Sequence, residues 1–164
     1  TGLALTDWRT TMALRQSDYA KGILAVPYPS LAGQAVTHRF AMTIGADAAL
    51  NDIYELACIP ANCRVADIVL DPADLDSGGS AAIVLDVGIM SGAWGDNDGA
   101  RTCDDEFFDG ITTAQAGGVA RPTLATAYNT GGAATDRSIG VKIATAAATP
   151  QAGVLGLTVT VVAV

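Results

Sequence analysis

A chain of 164 residues with a formal net charge of −8, 17 acidic against 9 basic side chains, lacks the clustered cations that nucleic-acid phosphates require. Half of the residues are hydrophobic but only 5% are aromatic, and 18 Gly and 6 Pro punctuate them. Small aliphatic side chains interrupted this often favour many short strands over a few long helices, and no run reaches the roughly 18 apolar residues of a membrane span. Taken in chain order, residues 1–35 differ from the rest. Asp7 can cap a short helical turn through Trp8, Met12 and Arg15, but the apolar spacing is sparse. Pro27 and Pro29 then hold the chain extended. This segment reads as an N-terminal arm, and residues 36–164 as one domain.

From Val36 the apolar residues alternate. Val36–Ile44 reads as a half-buried strand, with His38 on its apolar face. Ile53–Ile59 is a second strand stopped by Pro60, and Val65–Leu70 a third stopped by Asp71-Pro72. Ala82–Met90 sets Ile83, Leu85, Val87 and Ile89 on one face. Thr123–Tyr128 is a weaker candidate. Ser138–Ala144 buries Ile139, Val141 and Ile143 and turns Lys142 outward. The Ala/Thr stretch 144–152, with Pro150 inside it and Gly153 after it, reads as a loop. A last strand aligns Leu155, Leu157, Val159, Val161 and Ala163, opposite Thr158 and Thr160. Strands at this spacing, joined by turns such as Asp76-Ser77-Gly78-Gly79 and Gly95-Asp96-Asn97-Asp98-Gly99, read as an all-β sandwich or barrel, with an antiparallel β-sandwich of about seven or eight strands expected.

Chemistry has little to work with. His38 is the lone histidine, and on an apolar strand face it is expected to be a core or interface residue satisfied by a backbone carbonyl. Ser91 misses the nucleophile-elbow spacing by one position. No phosphate-binding glycine loop is present. Cys58, Cys63 and Cys103 with His38 are too scattered for a zinc site and are read as packed, reduced thiols. Asp71, Asp74 and Asp76 form one acidic loop; Asp96, Asp98, Asp104, Asp105, Glu106 and Asp109 form another. Neither has the ligand spacing of a calcium loop, so both are expected to be solvated turns. A carboxylate pair for sugar hydrolysis has only Trp94, Phe107 and Phe108 near it. The expectation is no catalytic residue, no cofactor and no metal.

Charge is split along the chain. Residues 1–46 hold Arg9, Arg15, Lys21 and Arg39 against Asp7 and Asp18, a sum of +2; the remainder holds five basic and fifteen acidic residues, a sum of −10. The segments Val65-Ala66-Asp67-Ile68-Val69-Leu70-Asp71, Asp74-Leu75-Asp76-Ser77-Gly78, Leu85-Asp86-Val87-Gly88, Arg101-Thr102-Cys103, Glu106-Phe107-Phe108 and Ala114-Gln115-Ala116-Gly117-Gly118 follow one another in an order and texture that resembles the small head-decoration (cement) proteins of tailed bacteriophages. The resemblance spans residues 36–164. It implies a jelly-roll-like sandwich seated on the outside of an assembled capsid, made in the bacterial host cytoplasm, with the major capsid protein as partner. It further implies self-association as a dimer or trimer, and neither nucleic acid nor membrane as a partner. Trp8, Arg9, Arg15, Tyr19 and Tyr28 in the arm are the expected contact residues, since aromatic and Arg side chains anchor interfaces. Trp8 and Tyr19 could instead fold back on the domain's own sheet. A tail or baseplate structural protein and a carbohydrate-binding sandwich are the alternative readings.

Overall fold

The computed structural model describes residues 12–164. Eight strands build two sheets: β1 (Leu14–Gln16), β2 (Ala35–Ile44), β3 (Ile53–Ile59), β4 (Cys63–Pro72), β5 (Val84–Ile89), β6 (Phe108–Ile111), β7 (Arg137–Thr145) and β8 (Gly153–Ala163). One sheet runs β1-β3-β7-β5-β6 and the other β2-β8-β4. Alternating apolar residues make this pairing cohere, because each sheet turns one hydrophobic face to the other. Tyr54, Leu85, Val87, Ile139, Val141 and Ile143 come from the larger sheet. Phe40, Ile44, Val65, Ile68, Leu70, Leu155, Leu157, Val159 and Val161 meet them from the smaller one, all buried. The molecule is therefore an all-β, jelly-roll-like sandwich.

Three details depart from the sequence expectation. The sheets begin at Leu14, not near Val36. Arg15 lies in strand β1, which pairs with β3 in parallel, so no helical turn passes through it and the larger sheet is mixed, not purely antiparallel. Thr123–Tyr128 is not a strand. Residues Ala125–Tyr128 form a 3-10 turn, with Leu124 and Tyr128 exposed and the Thr126 hydroxyl donating to the Glu106 carbonyl. Residues 123–126 are exposed in succession, which leaves no alternate face for a sheet to bury. β6 was not anticipated, because Phe108-Asp109-Gly110-Ile111 is too short to show alternation. Residues 146–152 are without strand or helix, as expected.

The outer face of the larger sheet is not open to solvent. Glu55, Gly140 and Gly88 lie side by side there on β3, β7 and β5. A Cβ on Gly88 would collide with the Asp104 carbonyl, and one on Gly140 would meet Met90 and the Cys103 sulfur. Residues 90–106 are thus laid directly on the sheet as a flap, closed by the Ser91 N–H donating to Thr102 at 3.0 Å and the Asp104 N–H to Ile89 at 3.1 Å. Among the described residues, none forms such a cover over the smaller sheet. Its outer face is small and polar: Thr37, Ala41, Thr43, Thr158 and Thr160, crossed by an Arg39–Asp71 ion pair that meets above Gly156.

Candidate interaction surface

Beneath the flap lies a polar cluster that no sequence motif announces. Glu55 and Ser138 are fully buried and Arg101 nearly so. Arg101 Nη1 donates to Glu55 Oε1 at 2.8 Å and to the Asp96 carbonyl at 2.7 Å, while Nη2 donates to the Ser138 hydroxyl at 2.7 Å and Nε to the Ser91 carbonyl at 2.6 Å. Glu55 also accepts from the Ser138 hydroxyl at 2.5 Å, from the Gly95 N–H at 3.0 Å and from Gln16 at 2.8 Å. Every arm of the guanidinium is used. A buried ion pair stabilises only when its remaining hydrogen-bonding capacity is filled this way. Its role is to fasten the flap to β1, β3 and β7.

The sequence marked five contact residues. Trp8 and Arg9 lie outside the described residues. Arg15 is turned to its own chain, donating to Asp47 through both terminal nitrogens at 3.3 and 2.7 Å and sitting 6.0 Å over the Tyr54 ring. The Asp47 hydrogen bond raises the Arg15 pKa above its ordinary value. Tyr19 also folds back: its hydroxyl is 2.8 Å from His38 Nε2, and its ring stands edge-on to Phe40 at 4.8 Å. His38 is therefore satisfied by a side chain, where a backbone carbonyl was expected. The turn that delivers Tyr19 is held by Ser17, whose hydroxyl donates to Leu56 and accepts from the Ala20 N–H.

Of the three candidates among the described residues, Tyr28 alone is presented outward, 68% exposed, beside Ile23 at 67%, Leu24 at 46% and Leu31 at 72%. These four sit within residues 21–34, which contain no strand or helix and run to the end of β8, where the Gly33 N–H donates to Ala163 at 3.0 Å. Tyr28 borders an open groove of about 420 Å³ with Val26, Cys58, Pro60, Ala61 and Asp136. Aliphatic and aromatic side chains this exposed and this close together mark an interaction surface. The Cys58 thiol beneath is pushed up to about 12, by burial first and by Asp136 and Glu55 second, which makes it inert as a nucleophile. All three cysteines are free thiols. Among the described residues, no three His, Cys, Asp or Glu side chains lie close enough to hold a metal ion.

A surface of this kind, on a sandwich without a catalytic constellation, is what a structural assembly protein needs. Comparison with solved structures decides the matter. A chain in the capsid of Ralstonia phage GP4 is 45% identical, superposes with a TM-score of 0.88, and is matched over 92% of this chain and 97% of its own length. The chain belongs to the phage capsid proteins. A chain in the cyanophage Pam1 capsid asymmetric unit shares the fold at a TM-score of 0.61 and 20% identity, over 85% of this chain and 91% of that one. No protein-family model and no curated protein matches the sequence. As a member of this family the chain is a structural protein of the virion and not an enzyme, and the two acidic loops are parts of its scaffold.

Proposed function

We propose that this capsid protein is a decoration (cement) protein, seated on the outer surface of the shell and stabilising contacts between major capsid protein subunits. The observation that carries the reading is the match to a phage capsid chain over 97% of that chain's own length, a length that one sandwich fills. A single sandwich of that size is too small to be the shell protein of the usual tailed-phage fold, and it suits an accessory that rides on it. Residues 21–34 are its gripping surface: Ile23, Leu24, Tyr28 and Leu31 are exposed in the free chain and gain most from being covered. The flap carries exposed Asp96, Asp98, Asp104 and Asp105, and this charge keeps particles apart. The protein associates with itself on the capsid in this reading, as a dimer or trimer.

The test uses capsids that lack this protein. Wild-type chain is expected to bind them and raise the temperature at which they rupture. Deleting residues 1–30 is the wrong probe, because it also removes β1, Ser17 and Tyr19 from the sandwich. The double substitution Tyr28→Ser with Leu31→Ser removes apolar contact area while leaving those residues in place, and is expected to weaken binding at least ten-fold with unchanged folding. Absence of wild-type binding would sink the reading. Undiminished binding by the double variant would move the contact off residues 21–34.

A further inference from the structure

Four strands stand at the edges of the two sheets, and three of them are blunted. β1 is 3 residues long and β6 is 4. β4 is bulged between Val65 and Asp67 and covered further along, where Leu70 and Ala120 exchange hydrogen bonds and Gly118 donates to Pro72. Among the described residues, β2 has none of these protections. It runs 10 residues without proline, glycine or bulge, in continuous register with β8 from Ala35 to Ile44. Long, regular, open edges template pairing with another chain, and proteins ordinarily guard them.

The ladder fixes which groups are open. On β8, Ala163 turns its N–H and C=O towards β2, bonding Gln34 and Gly33, while Val154 and Val164 bond towards β4 and the Asn62 turn before it. Odd β8 residues therefore serve β2, and they pair with its even residues. The N–H and C=O groups of Ala35, Thr37, Arg39, Ala41 and Thr43 point to the free edge. No described residue hydrogen-bonds to any of these backbone groups.

Charge restricts the occupant. Among the described residues, Arg39 is the charged side chain on β2, and it is paired with Asp71 in an ion pair that points across β8 and away from the edge. The edge itself is electrically neutral and lined by Ala and Thr. A charged strand would find no counter-ion there. A second copy would bring a body of net charge −8 against one of the same charge. The geometry points to β2 as a strand-addition edge that takes an extended, uncharged segment of a shell subunit, adding a fourth strand to the β2-β8-β4 sheet. The inference rests on the decoration reading, supplies a backbone contact alongside the side-chain grip of residues 21–34, and does not require a pocket.

The test reads single amides and a proline. In the free wild-type chain, the amides of Thr37, Arg39, Ala41 and Thr43 are expected to exchange rapidly with deuterium, while those of His38, Phe40 and Met42 are protected by β8. On capsids lacking the protein, the four odd amides are expected to slow at least ten-fold. Ala41→Pro removes an N–H that serves no internal bond, a position an edge strand accepts. That variant is expected to stay folded by circular dichroism and to lose at least ten-fold in capsid affinity. If the odd amides of bound wild-type chain still exchange as in the free chain, the inference is overturned, whether or not Ala41→Pro folds. If they slow in concentrated free chain with dimers in sedimentation, the occupant is a second copy and the assignment to a shell segment is overturned. Wild-type chain that does not bind capsids at all overturns the decoration reading, and this inference with it.

Discussion

Gly88 and Glu55 show how much of this molecule turns on single positions without chemistry of their own. At Gly88 the space for a Cβ is taken by the Asp104 carbonyl and, at 2.5 Å, the Asp105 nitrogen. Both are backbone atoms, so a methyl group there has nothing flexible to push aside. Gly88→Ala is expected to cost about 1–3 kcal/mol as an overpacking change and to lift the flap, measured by urea unfolding. Glu55 fails in the opposite way. Removing its carboxylate strands the Arg101 guanidinium, 3% exposed, beside Ser138. Glu55→Ala is expected to lose about 3–5 kcal/mol by the same measurement, because an uncompensated buried charge is left behind. Neither residue stands out in the sequence. Glu55 reads there as one polar position in a strand, and nothing local announces that Arg101, 46 residues later, is folded onto it. Arg15 and Tyr19 were misleading for the same reason: their residue types suit an interface, and the chain spends them on Asp47 and His38.

At the scale of elements, the sequence was most legible where a strand is long and buried on one face. β2, β7 and β8 match their expected spans within two residues at each end; β3 matches too, although all seven of its residues are buried, because Pro60 marks where it stops. β1 and β6 were invisible because three or four residues carry no period, and their places in the sheet come from tertiary contacts. β8 offers the cleanest check, because it is the central strand of the smaller sheet. Val159 is 2% exposed on the inner face, while Thr160 looks outward and shares a 2.8 Å hydrogen bond with Thr37. Val159→Asp is expected to cost more than about 4 kcal/mol, through an unpaired charge in the core. Thr160→Asp is expected to cost about 1 kcal/mol. Equal losses in chemical denaturation would mean that the register of β8 is wrong.

For the molecule as a whole, the same economy of side chains makes it sensitive to acid at one place. Asp76 read as part of a solvated acidic turn, yet it is 2% exposed and anchors two loops. One carboxylate oxygen accepts from the Gly78 and Thr149 N–H groups at 3.2 and 2.8 Å; the other accepts from Ala82, Ile83 and Ala148 at 2.7, 3.2 and 2.8 Å. Turn composition made the aspartate look ordinary because residues 148 and 149 lie more than seventy positions away. Burial pushes the carboxyl's pKa up, but the backbone donors of Ala82, Thr149, Ala148 and Gly78 outweigh it and hold the group far below the usual carboxylate range. The direction sets the sign of the pH effect. In the unfolded chain the carboxyl takes up its proton near pH 3.9, roughly the ordinary Asp value. The folded state resists that proton, so the stabilisation is fully present above this pH and is lost as pH falls from there towards the folded pKa. The connections between β4 and β5 and between β7 and β8, both tied to Asp76, are therefore expected to loosen together on acidification. Asp76→Asn keeps the shape but removes the charge and one acceptor oxygen, so its melting temperature should be lower at pH 7 and should fall less steeply below pH 4 (a boundary of about that value) than the wild type's. Parallel acid titrations of the two proteins would show that the anchor lies elsewhere.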